Sequence, residues 1–326
     1  MTKKRRFFIN FPVYLVIVML GGFVVMQLFL GSSEQLPPPD SKTVVENNFY
    51  AAKQPLIPEK LEFAGESVPL HLYDVRESLD REMITNSYYH SSTIQILKRA
   101  ERYFPYIDSV LKANNIPEDF KYLCVIESSL KNTTSPAGAK GFWQFMKSTG
   151  REHGLEINSY VDERYSLEKS TQAACEYLQE AYDIFGSWTL AAAAYNMGKS
   201  GLKRHVNEQR VDNYYDLYLN AETARYVYRI LAMKTIMPDH ESYGFMLKTV
   251  DKYAEHKHRT LIVDTTITDL VNFAFQQGVN YKILKEFNPW LTNTFLTNRT
   301  GREYKILLPD PDVRPCKPAV PQREKE

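Results

Sequence analysis

Hydrophobic positions recur with a helical period from Ser92 to Pro238 and with a mixed period from about Thr260, which predicts a helical domain followed by a small mixed module. Ile94, Leu97, Tyr103, Phe104, Ile107 and Leu111 mark one amphipathic helix, ended by Asn114-Asn115. Pro117 fits the first turn of the next helix, with Glu118 and Asp119 beside its exposed N–H groups. A loop over Lys131–Lys140, the run Gly141–Met146 and a polar stretch to Arg164 follow. The next helix spans Leu167–Phe185 and stops at Gly186. Trp188–Tyr195 contains Ala191-Ala192-Ala193-Ala194, which have no bulk, so this helix is expected at the centre with neighbours close on every side. Ala221–Met237 forms a last long helix before Pro238.

Beyond a linker around Tyr243 to His258, the order changes to strand, helix, helix, strand. The expected elements are Thr260–Val263, Thr268–Gln276, Lys282–Phe287 and Tyr304–Leu308. The tail from Asp310 is Pro-rich and charged and reads as disordered. At the other end, Lys3, Lys4, Arg5 and Arg6 precede Phe7–Leu30, which carries no charge and only Asn10 and Gln27 as clearly polar residues. About 20 apolar residues span a bilayer, so an uncleaved anchor with a cytoplasmic basic end is expected. A long cleaved signal ending near Gly31-Ser32-Ser33 is the rival. Gly31 to about Glu66 reads as a polar tether with Pro37-Pro38-Pro39, and Ser67–Ser91 is ambiguous between strand and extended chain.

Composition narrows the chemistry. Lys+Arg 40 against Asp+Glu 39 gives a charge of +1 over 326 residues, so no global field favours nucleic acid. Cys124, Cys175 and Cys316 are too few and scattered for a paired-Cys metal site; the first two read as small core residues, with a bridge between them as the alternative. The seven His residues show no ligand spacing and no Gly-rich phosphate loop is present, so neither a metal nor another cofactor is expected. The 22 Tyr residues suit sugar stacking and a Tyr-rich core equally.

One polar residue breaks the helical pattern. Glu127 lies three, four and seven residues after Cys124, Leu123 and Phe120, on the stripe that faces a core. Burial disfavours the charged carboxylate and keeps it protonated, as a general acid near neutral pH requires. The stripe alone leaves a structural buried ion pair equally open.

Further segments supply context: Ser135-Pro136-Ala137-Gly138-Ala139, Gly141-Phe142-Trp143-Gln144-Phe145, Ala194-Tyr195-Asn196-Met197-Gly198 and Glu222-Thr223-Ala224-Arg225-Tyr226-Val227. With Glu127-Ser128 they resemble, in order, the soluble lytic transglycosylase family of peptidoglycan enzymes, over roughly Ser92 to Ile236. Trp143 and Asp162-Glu163-Arg164 are closest to the membrane-bound lytic murein transglycosylase D group. The C-terminal module, with Gly278, Leu284, Asn288 and Ile306-Leu307-Leu308-Pro309, looks like a degenerate LysM domain, departing from its pattern at Asp264-Thr265-Thr266.

The resemblance implies a mainly α chain: a goose-type lysozyme-like catalytic domain, a β-α-α-β LysM-like module and an N-terminal transmembrane helix. The expected division is an anchor or signal over 1–31, tether and N-terminal extension over 32–90, catalytic domain over 91–240, linker over 241–258, LysM-like module over 259–309 and disordered tail over 310–326. It implies Glu127 as acid and then base in cleavage of the MurNAc-GlcNAc β-1,4 bond, leaving 1,6-anhydro-MurNAc ends. Tyr226 would orient Glu127, and Ser135, Gly141, Gln144, Tyr195 and Asn196 would bind the glycan. Gly141 would let backbone approach the ligand. Trp143 and Phe145 could stack on sugars or close the core. Implied partners are peptidoglycan strands and the inner membrane, with a periplasmic catalytic domain acting as a monomer. The competing readings are a hydrolase of peptidoglycan or chitin, needing a second carboxylate roughly 6.5–9.5 Å away if inverting, and a non-catalytic glycan-binding scaffold. Glu152, Glu156 and Asp162 are nearby in sequence, but none is convincingly placed as that second acid.

Overall fold

A computed structural model describes residues 53–312; the expected anchor, most of the tether and the end of the tail lie outside them. Among the described residues no helix is long and apolar enough to cross a membrane. The chain opens with a hairpin, β1 (Glu62–Phe63) and β2 (Glu66–Ser67), paired Glu62 to Ser67 and Phe63 to Glu66. Eight helices follow: α1 (Tyr73–Tyr88), α2 (His90–Ala113), α3 (Phe120–Ser128), α4 (Lys147–Glu152), α5 (Leu167–Phe185), α6 (Trp188–Met197), α7 (Lys199–Gln209) and α8 (Ala221–Ile236). The C-terminal module is β3 (His258–Val263), α9 (Leu270–Gln276), α10 (Tyr281–Phe287) and β4 (Tyr304–Pro309).

The alanine-rich helix is central as its composition requires. Ala191–Ala194 are 0% exposed, and α6 packs against α5, α7 and α8 at once. Backbones approach closely only where side chains are small, so the run brings α5 and α8 against one axis. Helix α5 ends at Gly186 in the left-handed conformation, which glycine adopts without a Cβ penalty. Cys124 and Cys175 are both free and buried, as the core reading expects.

Three departures have physical causes. The segment read as tether through Glu66 is already structured: Phe63 is 0% exposed and stacks edge-on against Phe120 at 5.2 Å. Glu66 then caps α6, accepting from Thr189 N at 2.9 Å and Ser187 Oγ at 2.9 Å. The ambiguous stretch before Ser92 forms α1, which buries Val75, Leu79 and Met83 along α8. Charged residues between them, and a buried Glu82 on the same face, mask the helical period. Helix α3 begins at Phe120 and not at Pro117, because 117–122 first makes tight turns, with Phe120 N donating to Pro117 O and Tyr122 N to Asp119 O.

In the C-terminal module β3 and β4 pair antiparallel with Leu261 opposite Ile306, in the expected strand-helix-helix-strand order. Leu270, Leu284, Leu291, Leu296, Ile306 and Leu308 fill its core, and Val161 of the helical domain is buried among them.

Because Glu66 holds the first N–H groups of the central helix, Glu66→Ala should destabilise the fold by about 1–2 kcal/mol in urea unfolding, and Glu66→Gln by less. An unchanged midpoint for Glu66→Ala would rule out the cap as a stabilising contact.

Candidate active site

Glu127 occupies the last turn of α3, and the helix stops immediately after it because Ser129 and Leu130 both take left-handed backbone conformations, φ 54° and 55°. Such values are uncommon outside glycine, and two in succession turn the chain sharply beside the acid. Ser128 Oγ donates to the Cys124 carbonyl at 3.3 Å within the same helix, a supporting role.

Across from α3, Tyr226 projects from α8 and its hydroxyl donates to Glu127 Oε1 in a very short contact. Tyr226 is buried and Glu127 half-buried, with its carboxyl surrounded by protein. Desolvation pushes the Glu127 carboxyl up to about 7; the Tyr226 hydrogen bond and the positive charge of Arg229 pull it down, and Glu222 adds to the rise. Burial also raises Tyr226 and Tyr195 well above the usual phenol range, so both remain neutral hydroxyls. The direct partner of Glu127 is therefore a neutral donor rather than a cation.

A second buried carboxylate gives the contrast. Glu82 of α1 is 1% exposed and accepts from Arg225 Nε at 2.7 Å, Arg225 Nη2 at 3.1 Å and Arg81 Nε at 3.0 Å. Two guanidinium groups pair with it directly, the structural arrangement that the Glu127 stripe could equally have signalled. Glu82, Arg225, Arg229 and Glu222 line a groove of about 540 Å³ that reaches Val125 and Ile126 of α3. Glu127 is not part of that wall. The groove meets the acid through Arg229, whose Nη2 donates to the Ile126 carbonyl at 3.5 Å, and through Glu222.

The other predicted residues fall into two groups. Tyr195 and Asn196 end α6 beside the acid: Tyr195 Oη donates to the Trp143 carbonyl at 2.7 Å, and Asn196 Oδ1 accepts from Thr223 Oγ1 at 2.7 Å while its Nδ2 lies 3.5 Å from Glu222. Ser135, Gly141 and Gln144 belong to the loop that follows α3. Ser135 Oγ accepts from Ala139 N at 3.1 Å and closes a tight turn. Gln144, at φ 50°, donates to Gly141 O at 2.7 Å and Thr133 O at 3.2 Å, clamping the loop onto itself. The loop joins α3 through Cys124 Sγ, which donates to Phe142 O at 3.5 Å.

Two positions gain a structural reason. Gly141 is required by protein packing, since a Cβ there would lie 1.8 Å from the Arg164 carbonyl oxygen. Trp143 closes the core, fully buried with Nε1 donating to Thr171 Oγ1 at 2.9 Å. Two of the three nearby acids are engaged elsewhere. Asp162 is paired with Arg164 at 2.8 Å and Lys140 at 3.3 Å, and Glu156 with Arg302 at 2.7 Å. Arg229 escaped the sequence reading, although it lies three residues after Tyr226 and so on the same helix face.

With this geometry in place, comparison with known proteins adds a match for the helical domain: residues 105–217 match the family described as Transglycosylase SLT domain. Residues 259–312 match the Soluble lytic transglycosylase C-terminal LysM-like domain. Over 241 residues the chain is 30% identical to a protein named Membrane-bound lytic murein transglycosylase D in Escherichia coli strain K12, covering 72% of this chain and 51% of that protein. A protein of the same name from Escherichia coli O6:H1 matches to the same extent. A Putative tributyltin chloride resistance protein of Alteromonas sp. is 31% identical over 113 residues, 33% of this chain and 54% of that one. The chain thus spans about half the length of the curated relatives it matches. Within the matched segment stand Glu127, the 135–144 loop, Tyr195 and Asn196; Tyr226, Glu222 and Arg229 lie beyond it, on α8.

A carboxyl held protonated by burial costs stability once it must ionise. Below about pH 4.5 the folded and unfolded forms are both protonated; between 4.5 and 7 the unfolded form loses its proton first, and above 7 the cost is complete. Glu127→Gln should therefore raise stability by about 1–3 kcal/mol at pH 8 and change it little at pH 4, as measured by denaturant unfolding. Equal effects at both pH values would show that Glu127 is not desolvated.

Proposed function

We propose that the chain is a peptidoglycan lytic transglycosylase that cleaves the β-1,4 bond between N-acetylmuramic acid and N-acetylglucosamine and leaves 1,6-anhydro-muramoyl ends. The observation that carries the reading is the Glu127 carboxyl, poised near neutrality by desolvation and oriented by a neutral Tyr226 rather than neutralised by a cation. The family match of the helical domain and the murein-cleaving relatives support the substrate class.

In this mechanism protonated Glu127 donates to the glycosidic oxygen as the bond to the anomeric carbon breaks and positive charge develops on the sugar ring. The carboxylate so formed then takes the proton of the muramoyl 6-hydroxyl while that oxygen attacks its own anomeric carbon. The acid returns to its starting state, and no water is consumed. An internal nucleophile is already close, so a second carboxylate is not required. Tyr226 holds the carboxyl orientation through both transfers. The 135–144 loop, with Ser135, Gly141 and Gln144, forms one wall for the glycan, and Tyr195 and Asn196 the other. Tyr195, whose hydroxyl is engaged by Trp143, contributes its ring. The core is assigned to the goose-type lysozyme-like class. The division of the chain into anchor, tether, catalytic domain, linker, LysM-like module and tail keeps the boundaries given above, except that the hairpin and α1 share the core of the catalytic domain. Phe7–Leu30 anchors the protein in the inner membrane, with the catalytic domain in the periplasm, acting as a monomer on glycan strands.

One observation favours a second reading. Glu222 is the carboxylate whose charge Glu127 feels, and a lysozyme-like hydrolase would use it to activate water. Mass spectrometry of the muropeptides released from sacculi separates the two. The transglycosylase yields 1,6-anhydro ends, loses roughly a thousandfold or more in rate with Glu127→Gln and retains most activity with Glu222→Gln. Reducing ends together with loss of activity in Glu222→Gln would establish the hydrolase, and parental rates in Glu127→Gln would remove the catalytic assignment altogether.

A further inference from the structure

The C-terminal module is built into the helical domain through the segment 156–165. Val161 is fully buried in the module's core, and its backbone pairs antiparallel with Leu291. Asp162 N donates to Trp290 O at 2.9 Å and Thr292 N to Tyr160 O at 3.0 Å, extending the pairing on both sides. Arg302 of the module forks between two acids of the segment, Nη1 to Glu156 Oε2 at 2.7 Å and Nη2 to Glu163 Oε1 at 2.8 Å. Tyr304 Oη adds a bond to Glu156 at 3.0 Å. Glu163 is itself buried, and the partly exposed Arg302 reaches in to it, so the bond fixes geometry from one side.

The same segment also grips the loop that follows α3. Arg164, 3% exposed, is aligned by a bidentate contact with Asp162, Nε to Oδ1 at 2.9 Å and Nη2 to Oδ2 at 2.8 Å. Its remaining nitrogen donates to two loop carbonyls, Gly138 O and Phe145 O, each at 3.2 Å. Tyr165 holds the start of the loop, its carbonyl accepting from Asn132 Nδ2 at 2.7 Å and its hydroxyl meeting Thr134 Oγ1 at 2.6 Å. The Arg164 carbonyl sits against Gly141 where no Cβ could fit. One continuous set of contacts, buried at Arg164 and Asp162, therefore runs from Arg302 to the loop that follows α3.

We propose that the C-terminal module is a brace for the candidate active site: through Arg302 and the 156–165 segment it positions Arg164, and through Arg164 the 131–146 loop. The consequence is that catalysis depends on the module even when the substrate is too short to reach it. Arg302, Asp162 and Arg164 are positioning residues in this scheme, acting through the loop on a glycan they do not touch. The activity arm of the test rests on the transglycosylase reading; the structural arm does not.

The test compares the full chain with Arg302→Glu and Arg302→Lys variants, by amide hydrogen exchange and by turnover of a short soluble glycan fragment and of intact sacculi. Arg302→Glu places a negative charge against Glu156 and Glu163. It should speed exchange across 131–146 by roughly tenfold or more while α8 keeps its protection. On the short fragment it should lower kcat about tenfold with KM moving less than about twofold, and Arg302→Lys should recover most of the loss. Parental exchange in the loop, or a defect confined to sacculi with the short fragment cleaved normally, would overturn the brace and leave a tethering role. Should Arg302→Glu expose α8 as well, Tyr304→Phe, which removes only the Glu156 contact, is read by the same criteria. If the parent chain cleaves neither substrate, the transglycosylase reading fails while loss of loop protection still upholds the brace.

Discussion

Close approach around a helix without side-chain bulk is the constraint from which the site follows. Ala191–Ala194 let α5 and α8 lie against α6 with little between them. Tyr195 and Asn196 therefore emerge from the end of α6 where α8 presents Tyr226 and Glu222. Any larger residue in that run would have to displace one neighbour, and the phenol on α8 could not then reach the carboxyl on α3. Interiors are dense enough that such a shift is transmitted rather than absorbed.

Charge is handled differently on the two sides of the groove. At Glu82 a buried carboxylate is bound directly by two guanidinium groups, an architectural pairing. At Glu127 the guanidinium of Arg229 acts on the carboxyl without forming its direct contact, and a phenol takes the near position. The difference between a buried acid that holds helices together and one that can exchange a proton comes down to which group stands within hydrogen-bond distance.

Much of this was legible in the chain. The helical period, the alanine run and Gly186 located α2, α5, α6 and α8, and the misplaced Glu127 with its later partner segments pointed to the acid and to Tyr226. What stayed hidden had specific physical reasons. Helix α1 carries Glu82 on its buried face, paired across to Arg225 of α8, and so has no clean apolar stripe to read. Helix α7 buries only Leu202, too little for a period. The reason for Gly141 was invisible because the group it accommodates, the Arg164 carbonyl, is 23 positions away and arrives only with the tertiary fold. Asp162-Glu163-Arg164 could be recognised as a unit, but its partners in the loop and in the C-terminal module share no local pattern with it.

The left-handed pair Ser129-Leu130 has a bearing on the chemistry beyond turning the chain. By ending α3 there, it sets Glu127 within the last turn of a nine-residue helix, whose terminal carbonyls point their negative ends toward that turn. A helix dipole disfavours an anion at this pole and falls off within about one turn. The helix end thus acts as a fixed electrostatic element that helps Glu127 keep its proton, and one further turn of regular helix would carry that pole away from the carboxyl. Two residues in costly backbone conformations thereby set a local potential, a role that no side-chain contact at either position would reveal.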